Sequence, residues 1–153
     1  MKELDRIDRK ILRAMQDNGR LTNLELADKI SLSPTATAER LKRLTRDGYI
    51  QGYTAKLSAE KLDRGMLVFV EVKLDRTTPD VFDAFSQAVQ KSDDVMECHM
   101  VAGGFDYLVK ARVKGMDAYR SFLSDVILSL PGVRETHTYP VMEEVKNTGK
   151  LPV

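Results

Sequence analysis

A single cysteine, Cys98, is all the thiol chemistry that the 153 residues offer. It excludes a disulfide within the chain and fits a reducing cytoplasm. No apolar run approaches the roughly 20 residues of a membrane span, so no membrane partner is expected. Met1–Arg13 alternates charges with single apolar residues, unlike the apolar core of a signal peptide. Paired acids and bases are also missing. His99 and His137 stand in unrelated positions, with no cysteine or carboxylate at metal-ligand spacing. Gly103-Gly104 leads into a strand pattern rather than a helix N-terminus, so it is a hairpin turn before it is a phosphate loop. Catalysis, a metal and a cofactor are therefore not expected.

Net charge is nearly absent at +1, yet it is unevenly shared. Residues 1–62 carry 13 Lys/Arg against 9 Asp/Glu, and residues 63–153 carry 11 against 14. A basic first part joined to an acidic second part points to nucleic acid for the first alone.

Leu21–Gly48 reads as two short helices meeting at a tight turn. Thr22 and Glu25 form a capping box for the first, whose buried face is expected at Leu24, Leu26, Ala27 and Ile30. Ser33-Pro34 restarts the chain, serine as N-cap and proline at the first helical position. Gly48 suits the left-handed position that ends the second helix. Ala38, Leu41 and Leu44 are expected to face inward, leaving Thr35, Glu39, Arg40, Arg43 and Arg46 outward. A basic helix face is often only a solvated face. Here four of the seven residues from Arg40 to Arg46 are basic and none is acidic, which favours a DNA-binding helix-turn-helix. Arg40, Arg43 and Arg46 are expected at phosphates or base edges, with Ser33 and Thr35 near the helix N-terminus. A preceding helix over Leu4–Asp17 supports the pair through Ile7 and Ile11.

Tyr49–Leu57 reads as a strand, either a wing or a connecting arm, and Ser58–Gly65 as a linker. Strands are then expected at Met66–Leu74, Val95–Ala102, Phe105–Val113 and Val133–Met142, with helices at Pro79–Lys91 and Asp117–Leu130. The order β-α-β-β-α-β is the split, ferredoxin-like arrangement, so the fold class is α+β. The apolar run Leu67–Val70 implies that the face away from the helices also needs cover, from another subunit. The domains are residues 1–50 for DNA, 51–64 as strand and hinge, 65–146 as the ferredoxin-like domain and 147–153 as a tail. Asp106, after the open N–H groups of Gly103-Gly104, has two readings: a plain turn residue, or the partner of an ammonium in a small zwitterion.

With Leu4-Asp5-Arg6-Ile7-Asp8, Leu32-Ser33-Pro34-Thr35, Ile50-Gln51-Gly52-Tyr53, Phe105-Asp106-Tyr107-Leu108 and Leu130-Pro131-Gly132-Val133 on view, the chain resembles the leucine-responsive regulatory protein/AsnC family of bacterial regulators, nearest its leucine-responsive branch. The resemblance runs from Leu4 to Lys146. It implies a winged helix-turn-helix, a ligand-sensing domain through which the protein dimerises, and dimers that assemble into octamers or larger particles on DNA. It implies an amino-acid effector bound where dimers meet, leucine in this branch. Positions tied to that response correspond to Met100, Asp106, Met116, Leu128, Tyr139, Pro140 and Val141, beside Gly103 and Gly104. Met100 stands where leucine is usual, Pro140 where valine is usual and Gly104 where aspartate is common; Ala36-Thr37-Ala38 departs from the family's usual run. The expected function is a sequence-specific DNA-binding transcription regulator, cytoplasmic and nucleoid-associated, that responds to leucine or another aliphatic amino acid. Its rivals are an architectural DNA protein without an effector and a small ferredoxin-like enzyme.

Overall fold

The computed structural model describes residues 3–153; the first two residues of the expected 1–50 domain, and of the Met1–Arg13 stretch, lie outside the described residues. The chain divides into two compact units, one ending at Lys56 and rejoined by Asn147–Val153, the other Leu57–Lys146.

In the first unit α1 (Arg6–Asp17), α2 (Asn23–Ile30) and α3 (Pro34–Arg46) enclose a core that includes Ile11, Leu26, Ile30 and Leu44. Each helix start follows from its side chains. Asp5 caps α1 by accepting the Asp8 N–H at 2.8 Å, and Asp8 returns the bond to the Asp5 N–H at 3.3 Å. Thr22 and Glu25 do the same for α2, and the Ser33 hydroxyl accepts the Ala36 N–H at 3.3 Å at the start of α3. Gly48, at φ +80°, closes α3 in the left-handed conformation, as expected.

Two inward assignments need correction. Leu24 is 68% exposed, because two residues of helix carry it about 200° around the axis from the buried Leu26. Ala38 is exposed and Thr37 is buried in its place. Thr37 and Leu44, seven residues apart, nearly eclipse one another along α3, and Ala38 is rotated off that line. The Thr37 hydroxyl is satisfied by donating to the Ser33 carbonyl at 2.9 Å.

Tyr49–Leu57 is not a strand. The Tyr49 N–H returns to the Leu44 carbonyl at 2.9 Å, and Tyr49 and Ile50 pack on the helical core. The run has β propensity, but no described residue of the first unit forms a strand beside it, and without a ladder the pattern does not become one. Residues 147–153 are more than a tail. Leu151 exchanges two hydrogen bonds with the Gln16 side chain, at 2.6 and 3.0 Å, and Lys150 meets Asp17 at 2.7 Å.

The second unit is the expected βαββαβ domain. It comprises β1 (Met66–Leu74), α4 (Pro79–Gln90), β2 (Val95–Met100), β3 (Tyr107–Val113), α5 (Met116–Phe122) and β4 (Val133–Pro140). The sheet is antiparallel in the order β2-β3-β1-β4. Alternation sends Val68, Val70 and Val72 of β1 toward the helices, where Phe85 stacks on Tyr107 at 4.3 Å between ring centres. The expected continuous helix to Leu130 instead passes after Phe122 into a π-helical stretch, Leu123–Ile127.

The opposite face is not the bare apolar surface expected. Leu67 is buried within the chain, which returns after β4 so that the Val141 N–H donates to the Leu67 carbonyl at 2.9 Å and Arg112 pairs with Glu144. The rows beside it alternate charge: Tyr139, Phe69, Lys110 and Glu97 in one, His137, Glu71, Leu108 and His99 in the next. Only alternate residues of Leu67–Val70 face this side, so a run that reads as two-sided in sequence leaves little apolar area uncovered.

Candidate nucleic-acid interface and effector positions

The outward residues of α3 fall into two stripes. Thr35, Glu39, Lys42 and Arg46, at spacings of four, three and four, form an exposed one. Arg46 leaves 72% of its side chain in solvent, beside Asp47 at 2.9 Å. An open groove of about 630 Å³ runs along this side, lined by Asn23, Ala38, Leu41, Lys42, Thr45, Arg46 and Tyr53. Lys42, absent from the expected contacts, belongs to this surface too, and its place four residues before Arg46 is the sequence signal for it. Ser33 is committed as the N-cap of α3.

Arg40 and Arg43 form the other stripe, and they are not free as expected. Asp8, 2% exposed, takes Arg40 Nη1 at 2.8 Å and Arg43 Nη2 at 2.5 Å on one carboxylate oxygen. Asp5 takes Arg40 Nη1 at 2.6 Å. The arginine side chains remain 29% and 24% exposed. Leu4-Asp5-Arg6-Ile7-Asp8 held the signal, an acid three residues after an acidic N-cap, but its partners lie 32 to 35 residues away.

The Asp8 N–H, and after it Arg40, holds the Asp5 carboxyl at about 2 against an ordinary 3.8. A carboxyl with a lowered folded pKa stabilises the fold above its unfolded pKa, and that stability is lost as pH falls from 3.8 toward about 2. Asp5→Asn keeps a good N-cap but no longer titrates. Helix unfolding followed by circular dichroism should therefore show a shallower acid-dependent loss of stability in the variant. Parallel slopes in that window would refute the assignment.

The effector positions do not converge within one chain. Met100 ends β2 and Tyr139 is near the end of β4, strands at opposite edges of the sheet, roughly 14 Å apart at three strand spacings. Asp106 sits at the Val72 end of β1, whereas Pro140 and Val141 meet β1 at Val68 and Leu67, roughly 13–17 Å away by strand rise. Met100, Met116, Leu128 and Tyr139 are all more than half exposed. Gly103 and Gly104 form a short loop closed by the Val101 N–H donating to the Asp106 carbonyl at 3.0 Å. The Asp106 carboxylate accepts the Leu74 N–H at 2.7 Å, a structural contact that sequence alone did not show. Near the loop, a cavity of about 160 Å³ is lined by Glu71, Lys73, Gly104, Phe105, Glu135 and His137. The Tyr139 phenol is pushed up, first by its hydrogen bond to Glu71. Burial pushes the Cys98 thiol up to about 11, so it is a packing residue rather than a nucleophile. Among the described residues no helix is long and apolar enough to cross a membrane, and no cluster of His, Cys, Asp or Glu could hold a metal ion.

A helix-turn-helix unit with a basic second helix, joined to a βαββαβ domain with its own core, defines a DNA-binding regulator with a separate ligand domain. The family model for the winged helix-turn-helix DNA-binding domain matches residues 4–51, and that for the Lrp/AsnC ligand binding domain matches residues 67–151. The chain belongs to the Lrp/AsnC family of transcription regulators. It is similar to the leucine-responsive regulatory protein of Escherichia coli (strain K12), 54% identical over 152 residues, 99% of this chain and 93% of that protein. Among solved structures, a transcriptional regulator from Neisseria meningitidis in complex with L-Met superposes with a TM-score of 0.93 at 38% identity, over 98% of this chain and 97% of that one. An AsnC family transcriptional regulator from Agrobacterium tumefaciens gives 0.92 at 32% identity, over 97% of both chains.

Proposed function

We propose that this regulator senses an aliphatic amino acid, leucine or methionine, and that the bound effector alters its assembly or its grip on DNA. The observation that carries this is the likeness of the whole chain both to leucine-responsive regulatory proteins and to a regulator solved with L-Met. The exposed Met100, Met116 and Leu128 support it, because flexible thioethers and a leucine can form an adaptable apolar wall. These positions lie apart in one chain, so the effector site is completed by a second copy, with dimers assembling into octamers or larger particles. The DNA-contacting residues are Thr35, Glu39, Lys42 and Arg46 on the open stripe, with Arg40 and Arg43 beside them. The protein works in the cytoplasm at the nucleoid by binding alone, with no cofactor besides the effector.

A thermal-shift screen of the twenty amino acids, with sedimentation velocity on the hits, tests the reading. Leucine or methionine is expected to raise the melting temperature and to change the sedimentation coefficient, whereas acidic and basic amino acids do neither. No response to any amino acid would favour an architectural DNA protein.

A further inference from the structure

We infer that Asp8, seconded by Asp5, is a positioning residue for DNA reading: it fixes Arg40 and Arg43 on α3 so that their unspent N–H groups are aimed at DNA. The inference rests on the reading that α3 meets DNA, and it concerns groups on α1 that do not touch DNA themselves.

A guanidinium carries five N–H donors in a rigid fork. Arg40 spends Nη1 alone, on Asp5 and Asp8, and Arg43 spends Nη2 alone, on Asp8. Among the described residues the rest of each fork has no carboxylate partner, and each side chain keeps about a quarter of its surface in solvent. A long side chain held this way has already lost its rotamer freedom, so it loses less on meeting a base edge or a phosphate. The charge count agrees with a role in reading rather than in general attraction. Two aspartates and two arginines make the cluster formally neutral, so it adds little to the long-range pull on phosphates. Lys42 and Arg46 on the other stripe are likewise offset by Glu39 and Asp47, so that pull is left to the basic excess spread over residues 1–62. Asp8 is also too buried to be a surface decoration: at 2% exposure it is held by both arginines and by the Asp5 N–H.

Removing the carboxylates should therefore loosen two cations. Binding to any DNA should become tighter at low salt and more salt-dependent, while discrimination between sequences declines. A purely structural Asp8 would lower the melting temperature and leave both properties of the folded protein unchanged.

The full chain, as wild type, Asp8→Asn and Asp5→Asn, is titrated by fluorescence anisotropy across a salt series. The probes are a duplex that the wild type enriches from a random-sequence pool and a scrambled duplex of the same composition. Asp5→Asn retains the N-cap, so it decides the matter if Asp8→Asn fails to fold. For Asp8→Asn the ratio of specific to scrambled affinity is expected to fall about tenfold, and the salt slope to steepen by about one released counterion. Asp5→Asn should move both quantities the same way, and by less. Unchanged ratio and slope in the folded variants would overturn the inference. A wild type that enriches no duplex over the scrambled one would instead overturn the DNA-reading proposal beneath it.

Discussion

Asp106→Ala is expected to lower the melting temperature of the Leu57–Lys146 unit and to abolish the amino-acid response, whereas Asp106→Asn should do only the second. The Asp106 carboxylate accepts the Leu74 N–H at 2.7 Å, where the pairing of β1 with β4 shifts register between Lys73 and Leu74. Leu74 is 3% exposed, so truncating its acceptor leaves a buried N–H unpaired, at a cost of about 1–3 kcal/mol. In a unit of this size each kcal/mol moves the midpoint by roughly 4–8 °C, so a fall on the order of 10 °C is expected. Asparagine still offers an oxygen to that N–H but carries no charge. If the carboxylate also faces the ammonium of an amino acid, losing the charge forfeits about 1.5–3 kcal/mol, a ten- to hundredfold weaker effector. Melting curves and calorimetric titration of leucine and methionine, run on both variants, keep the two roles apart. An asparagine variant that melts and binds like wild type would show that Asp106 is structural only.

The second large effect belongs to Gly132. It adopts φ +75° immediately before β4, and a Cβ there would lie 2.7 Å from Cγ1 of Val81 on α4. Val81 is itself buried, and Gly132 also gives its carbonyl to the Asp75 N–H at 2.8 Å, so neither neighbour can retreat easily. Gly132→Ala should cost about 1–2 kcal/mol for the left-handed conformation. Overpacking against α4 should add about 1–3 kcal/mol. Gly48 is the control: its φ is +80°, but a Cβ would meet nothing within 4 Å. Gly48→Ala should therefore show the conformational cost alone, about 1–2 kcal/mol. Urea unfolding of the two variants checks the difference, and equal losses would mean that Val81 moves aside freely. Because Gly132 opens β4, the strand that carries Tyr139 and Pro140, a weakened effector response should accompany the loss of stability.

Much of this protein was determined locally and could be read without a structure. Thr22 with Glu25, Ser33 with Pro34, and Gly48 each act within a few residues of themselves, so the helix pair and its ends follow from sequence. The strand pattern of Met66–Leu74 and the helical stripes in Pro79–Lys91 and Asp117–Leu130 likewise reveal the βαββαβ order, and the order points to the fold. What escaped needed a partner far along the chain. Tyr49–Leu57 has a strand's composition but finds no ladder among the described residues of the first unit. The basic face of α3 was visible, but not that two of its arginines are held from 32 and 35 residues away by Asp8. The docking of Leu151 on Gln16 spans 135 residues and leaves no trace in the periodicity. The sheet order sets Met100 and Tyr139 on opposite edges, so residues grouped by likeness to a family do not form one pocket in one chain. Periodicity reports which side of a helix or strand is apolar. Which charged or polar group stands against that side depends on how distant elements pack, and only the tertiary structure decides it.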